Sequence, residues 1–248
     1  MALFKITANT LFTALLLGGF TTMTYGNPLS SYTATYGAEL NGMDIKATHR
    51  LEQLDSGQYR ETLKARNLLG NIDEQALFSI SSDQQIIPLE YKYRRSLIGI
   101  KRAESQSFDW PNKTVTYSKG DKTESIAITV GLFDIITHKL QLRRDLQAGK
   151  EILSYPVISR GKLKQYTYKI IGHEVLSAPL GPLNTVKVQR VRKDNKRQTT
   201  IWLATDWDFL LVGLEQKENG DSHQMKILNG QVNNQTIKPL AVATETTL

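Results

Sequence analysis

Two carboxylates and two indoles lie close together in the run Trp202-Leu-Ala-Thr-Asp206-Trp207-Asp208. In a strand, residues i and i+2 point to one face. Asp206 and Asp208 would then act as a pair, while Trp202 and Trp207 offer aromatic faces that stack on sugar rings. All four are candidate ligand-binding residues for a glycan. Aspartate is also an ordinary turn residue, and the run lies between two predicted strands, so a turn is the preferred reading. Glycoside hydrolysis would need two acids about 5 to 10 Å apart.

Other catalytic chemistry is thinly represented. The four histidines are His49, His138, His173 and His223. No two fall within metal-ligand spacing, so no metal site is expected. There is no cysteine and no G-x-S-x-G elbow, and Ser159-Arg160-Gly161 and Ser222-His223 have no orienting base. No catalytic residue and no cofactor is assigned.

The elements that must carry these residues are mostly strands. From Tyr32 to roughly Ile128, short alternating segments are broken by Gly, Asp, Asn and Ser. After residue 150 the strands resume, with Asn219-Gly220 marking a hairpin. One segment differs. Val130, Phe133, Ile136, Leu140 and Leu146 recur at helical spacing, with Thr129 as N-cap and Gly149 as stop, which predicts a helix over 130–148. The fold class expected is all-β and mainly antiparallel: a single curved meander or incomplete barrel with one covering helix. Phe133, Ile136 and Leu140 are candidate lining residues if an apolar cavity lies between sheet and helix. The alternative is a core filled by side chains.

The start of the chain sets the compartment. Met1 to Lys5 is a short positive region, Leu11 to Phe20 an apolar core, and Thr24-Tyr-Gly26 a small-residue cleavage site. This pattern reads as a signal peptide over 1–26. The expected organisation is that leader, one antiparallel β domain over 27–232 and a flexible tail over 233–248. A split near the helix is the alternative. The apolar run is too short to span a bilayer, which takes about 20 residues, and charges interrupt every later one. Without cysteine there is no lipid anchor, disulfide or thiolate zinc site. The expected localisation is therefore periplasmic.

The formal net charge is +7, from 31 basic and 24 acidic side chains; losing Lys5 with the leader lowers it to +6. Basic residues are spread along the chain and read mainly as solvated surface. Anionic lipid or glycan of the envelope suits this charge, whereas export removes nucleic acid as a partner.

Several motifs in order give a family resemblance. They are Tyr32-x-x-x-Tyr36-Gly37, Pro88-x-x-Tyr91, Asp134 to Arg143, Pro179-Leu-Gly181 before Val186-Lys-Val188, and Trp202-Leu-Ala-x-Asp206. Together they resemble an exported bacterial family, domain of unknown function family 3108. The chain departs at Leu211-Val212, where a proline is expected. The resemblance implies an exported β-rich domain and supplies no catalytic residue. A looser, architectural similarity is to periplasmic lipoprotein carriers, whose incomplete barrel holds acyl chains.

Three functions follow from these features. The first is a non-enzymatic binding or carrier protein for an apolar or amphiphilic envelope molecule. The second is an assembly or interaction module for glycan or a protein partner. The third is a hydrolase using Asp206 and Asp208.

Overall fold

Alternation along nearly every segment allows each strand to bury one face and solvate the other. The computed structural model describes residues 29–40, 43–193 and 196–241. The strands are β1 (Tyr32–Leu40), β2 (Met43–Gln53), β3 (Tyr59–Asn67), β4 (Gly70–Ile80), β5 (Ile86–Leu97), β6 (Ile100–Asp109), β7 (Thr114–Lys119) and β8 (Lys122–Ala127). Helix α1 (Thr137–Gln147) follows. Then come β9 (Leu153–Ser159), β10 (Lys162–Ala178), β11 (Gly181–Val191), β12 (Arg197–Ala204), β13 (Leu210–Glu218), β14 (Asp221–Val232) and β15 (Gln235–Thr236).

All strands join one antiparallel sheet. Its order is β8-β7-β6-β5-β4-β3-β2-β1-β14-β13-β12-β11-β10-β9, with β15 added to β14. Two meanders are thus joined where the first strand pairs with β14, Tyr32 opposite Val232. The sheet curls but does not close, which makes it the incomplete barrel the alternation predicts. Its outer strands, β8 and β9, are not paired with each other.

The connection between those two strands fills the gap. Residues 128–135 are not the first turns of the predicted helix. Val130 is exposed, Gly131 has φ +84°, and Phe133 forms a parallel bridge with Val157 of β9. The Phe133 N–H donates to the Pro156 carbonyl at 2.9 Å, and the Ile158 N–H donates to the Phe133 carbonyl at 2.8 Å. The helix begins only at Thr137. Asp134, not Thr129, serves its start: Oδ1 accepts from the N–H groups of Ile136 and Thr137 at 2.7 and 2.9 Å. The apolar period continued across this extended segment because Phe133 faces the same core as Ile136.

The inner face changes character along the strands. In β5, Ile86, Pro88 and Tyr91 are buried, Tyr93 and Arg95 half-buried, and Leu97 exposed. In β6 the gradient runs from exposed Ile100 to buried Gln106 and Phe108. One end of the barrel is packed solid. There Leu51, Phe78, Ile86, Leu210 and Ile227 join Leu140, Leu142 and Leu146 of the helix. The helix therefore plugs this end. Gln141 Oε1 accepts from the Ile86 N–H at 3.1 Å, the Asp145 carboxylate accepts from the Tyr155 hydroxyl at 2.9 Å, and Arg143 donates to the Asp208 carbonyl at 3.0 Å.

Residues 235–240, expected to belong to a flexible tail from 233, are instead held against the sheet. Ile237 is buried in the main core, and the Leu240 N–H donates to the Pro182 carbonyl at 2.8 Å. The predicted leader and residues 242–248 lie outside the described residues.

At the start of the plugging helix, Asp134 and His138 titrate in opposition. Burial pushes the Asp134 carboxyl up to about 6, against hydrogen bonds from Thr137 and Ile136 that pull it down. Burial, then Lys139, pushes His138 down to about 3. Nδ1 donates to the Asp134 carbonyl at 3.1 Å, which leaves Nε2 to accept from the Tyr168 hydroxyl at 3.0 Å. Between pH 6.5 and 3 an unfolded histidine binds a proton that the folded one refuses, so acidification destabilises through His138. Between pH 6 and 3.8 folded Asp134 holds a proton that the unfolded chain has released, so acidification stabilises through it. From pH 7 to 5 the first effect removes about 2 kcal/mol and the second returns about 1 kcal/mol. Asp134→Asn keeps Oδ1 and removes the second effect, so urea unfolding at the two pH values should show the larger loss in the variant.

The barrel seam gives a second expectation. A Cβ on Gly161, in the β9–β10 turn, would lie 2.7 Å from the Tyr117 ring, whereas one on Gly120 would meet nothing within 4 Å. Both glycines have positive φ. Gly120→Ala should cost about 1 to 2 kcal/mol for the left-handed backbone alone. Gly161→Ala should cost about 1 to 3 kcal/mol more, read as the difference between their denaturation midpoints.

Candidate functional site

The residues singled out from the sequence do not converge. Phe133, Ile136 and Leu140 are 4%, 3% and 1% exposed and belong to the packed end; the Phe133 ring meets the Tyr155 ring edge-on at 5.9 Å. Trp202 lies on β12, where its Nε1 donates to Glu174 at 2.5 Å and the Lys187 ammonium sits 5.1 Å from the ring centroid. Asp206, Trp207 and Asp208 lie in the turn between β12 and β13, as preferred, with φ +51° at Asp208. Asp206 Oδ2 accepts from Asn184 at 2.8 Å, Trp207 packs on the main core, and the Asp208 carbonyl accepts from Arg143. The two carboxylates therefore do not share a strand face.

The histidines are also apart. His49 lies 3.6 Å from Glu61, itself tied to Tyr32, and His138 is buried in the first turn of α1. His173 is exposed on β10 and His223 half-buried on β14. Among the described residues no cluster of three or more His, Asp or Glu is placed to hold a metal.

Opposite the packed end, the strands wall an open cavity of about 410 Å³. Its basic side chains are Arg95, Arg102, Arg160, Lys164, Arg190, Arg192 and Arg197. Its aromatic lining is Tyr91, Tyr93 and Tyr166, and Ile135 comes from the segment that seals the barrel. Arg95 and Arg102 face each other across β5 and β6. Like charges so paired repel, and the site holds few anions to offset them. Of its two carboxylates, Glu74 accepts from the Tyr91 hydroxyl at 2.6 Å and Glu104 from the Tyr117 hydroxyl at 2.8 Å. Arg197 is paired with Glu218 at 2.5 Å.

Aromatic contacts hold the guanidinium groups in place. Arg190 lies over the Tyr166 ring at 3.4 Å from its centroid, a contact that grips one face of the cation. Burial raises the Tyr166 phenol, but a hydrogen bond from Ser159 and the nearby Arg190 and Lys164 outweigh it and leave it below its usual value. The local potential is therefore positive. Burial pushes Tyr91 well up, helped by Glu74. The Nε atoms of Arg95 and Arg190 and the Oε1 of buried Gln106 have no protein partner. The two Nε–H groups are donors that suit acceptor oxygens of a ligand, whereas Gln106 Oε1 calls for a donor such as a hydroxyl.

Sequence reasoning missed this cavity, although its signal is present. On β11 the inward series runs Val186, Val188, Arg190, with Arg192 just past the strand end, and on β5 it runs Tyr91, Tyr93, Arg95. Period-two positions that turn from apolar to basic mark an inner face leaving the core.

The class these observations define is a β-barrel-like protein with one plugged end and one open basic end. Within that class the chain belongs to the family described as proteins of unknown function, DUF3108, which matches residues 31–227. No curated protein matches the sequence. Among solved structures, a β-barrel-like protein of domain of unknown function DUF1849 from Brucella abortus aligns with a TM-score of 0.56 and 9% identity, over 82% of this chain and 98% of that one. A DUF1329 family protein from Desulfovibrio piger aligns over 83% of this chain and 86% of that one, at 9% identity and a TM-score of 0.26. The first similarity is one of fold. Among the described residues, no helix is long and apolar enough to cross a membrane.

Trp202→Phe removes the hydrogen bond to Glu174 and weakens the ring beneath Lys187. It should cost about 1 kcal/mol in urea unfolding while leaving the β12–β13 turn intact.

Proposed function

We propose that this is an exported, non-enzymatic binding or carrier protein of the periplasm, and that its ligand is an anionic amphiphile of the cell envelope. The observation that carries the reading is the double position of Arg95. Its side chain lines the basic cavity and also a smaller pocket of about 180 Å³ whose apolar members include Ile45, Ala65, Ile72 and Leu97. A phosphate or carboxylate head would meet guanidinium donors with unpaired Nε atoms, while an alkyl chain would leave water beside the aliphatic residues. The leader-like start of the chain and its positive charge agree with an envelope ligand.

Two observations favour this over the alternatives. The Trp202 indole already has its N–H donated to Glu174 and Lys187 beside its ring, which disfavours a sugar platform. Asp206 is tied to Asn184, and Asp208 is held through its main chain, so neither is arranged as half of a hydrolytic pair.

Calorimetric titration with dodecyl phosphate, kept below its micellar concentration, tests the proposal. One equivalent should bind, dodecyl maltoside should bind at least about tenfold more weakly, and Arg95→Gln should weaken dodecyl phosphate by about tenfold. Equal binding of the two amphiphiles, or no binding of either, would overturn it.

A further inference from the structure

Two neighbouring hairpins at the open end carry the same pentapeptide pattern, Arg66-Asn-Leu-Leu-Gly70 and Arg95-Ser-Leu-Ile-Gly99. Their turns present aliphatic side chains to solvent: Leu68 is 100% exposed, Ile98 72% and Ile100 68%. The Ile98 N–H donates to the Leu69 carbonyl at 2.9 Å, so the two tips form one surface.

Neither packing nor backbone conformation favours these side chains. Ile98 has φ +48° and Gly99 φ +77°, the paired left-handed geometry for which Asn-Gly is the preferred sequence. A β-branched residue there is an outlier. Exposure costs the Ile98 side chain free energy in water that an apolar medium outside the chain would return, while the backbone strain remains in either medium.

The surroundings specify that medium. Lys64, Arg66, Arg94 and Lys101 are exposed beside the tips and form no salt bridge among the described residues. Asp73 lies opposite Lys64 and Arg94 in the sheet, and the four cations outnumber it, so aliphatic tips beside a net positive rim match an anionic bilayer, in which chains lie beneath negative head groups. We propose that the Leu68–Leu69 and Ile98–Ile100 tips insert into the interface of an anionic lipid bilayer, with these cations on its head groups. The open cavity then faces the membrane, because Arg95 and Arg102 lie two residues behind Leu97 and Ile100 on the same strands.

Flotation with phosphatidylglycerol vesicles tests this, with phosphatidylcholine vesicles as the contrast. The protein should float with the first and hardly with the second. Leu68→Asn combined with Ile98→Asn should weaken binding at least about tenfold. Asn suits the positive φ at 98, so the melting temperature should not fall. The Leu68→Trp emission should shift blue on phosphatidylglycerol vesicles. The double variant should bind dodecyl phosphate unchanged, whereas Arg95→Gln should lose that ligand and still float, so the cavity reading and this one fail separately. Flotation that salt abolishes but the tip variants leave untouched would show adsorption by charge and overturn insertion. So would a dimer that the tip variants dissociate, since a second copy would then cover the tips.

Discussion

A sheet that curls through fourteen consecutive neighbours without closing leaves two edges, and edge backbone groups need partners. In this protein the chain between those edges supplies one. Residues 128–136 leave β8, lay Phe133 along β9, and place Asp134 where its carboxylate collects the first amides of the helix. The seam and the plug are thus one covalent device. Because the helix is inserted at one end only, the barrel is packed there and open at the other. Among the described residues one helix, of 11 residues, enters the barrel, and its buried side chains fill the packed end.

The open end shows how one backbone can carry two chemistries. Alternation keeps the same face inward along a strand, so residues four positions apart share a wall but not an environment. Tyr91 is buried and bonded to Glu74, while Arg95 on the same face is half-buried and lines the open cavity. Tyrosines lie at this boundary because each offers an apolar body to the core and a hydroxyl or ring face to a charge. Arg190 over Tyr166 is the clearest case.

Much of the strand pattern was legible from alternation and turn residues. The alternating stretch from Tyr32 to roughly Ile128 and the Asn219-Gly220 hairpin fall where the structure has β1 to β8 and the β13–β14 turn. The strand Lys122–Ala127 was harder to read, since Lys122, Glu124 and Ser125 make it an exposed edge with little apolar contrast. The helix start was misplaced because Val130 and Phe133 mimic helical spacing while Gly131 takes a left-handed turn. The basic cavity was hidden for another reason. Arg102 on β6, Arg160 in the β9–β10 turn and Arg190 on β11 meet only through the curl of the sheet; local spacing marks each wall as it turns basic but not which walls face one another. The Asp206–Asp208 pair failed as a shared face because strand periodicity does not extend into a turn.

The pairing of β1 with both β2 and β14 bears on how the polypeptide acquires this shape. The first strand made is central in the finished sheet, and its second neighbour is the last long strand made, with Tyr32 waiting for Val232. During synthesis one side of β1 therefore stays open while nearly 200 residues are added. Local hairpins can zip early within each meander, but joining the two must wait for that single long-range ladder and carries a large loop-closure entropy. The last step of folding then brings two preformed half-sheets together along β1 and β14. Until it is complete, the exposed rung of β1 is the place where another extended chain would compete.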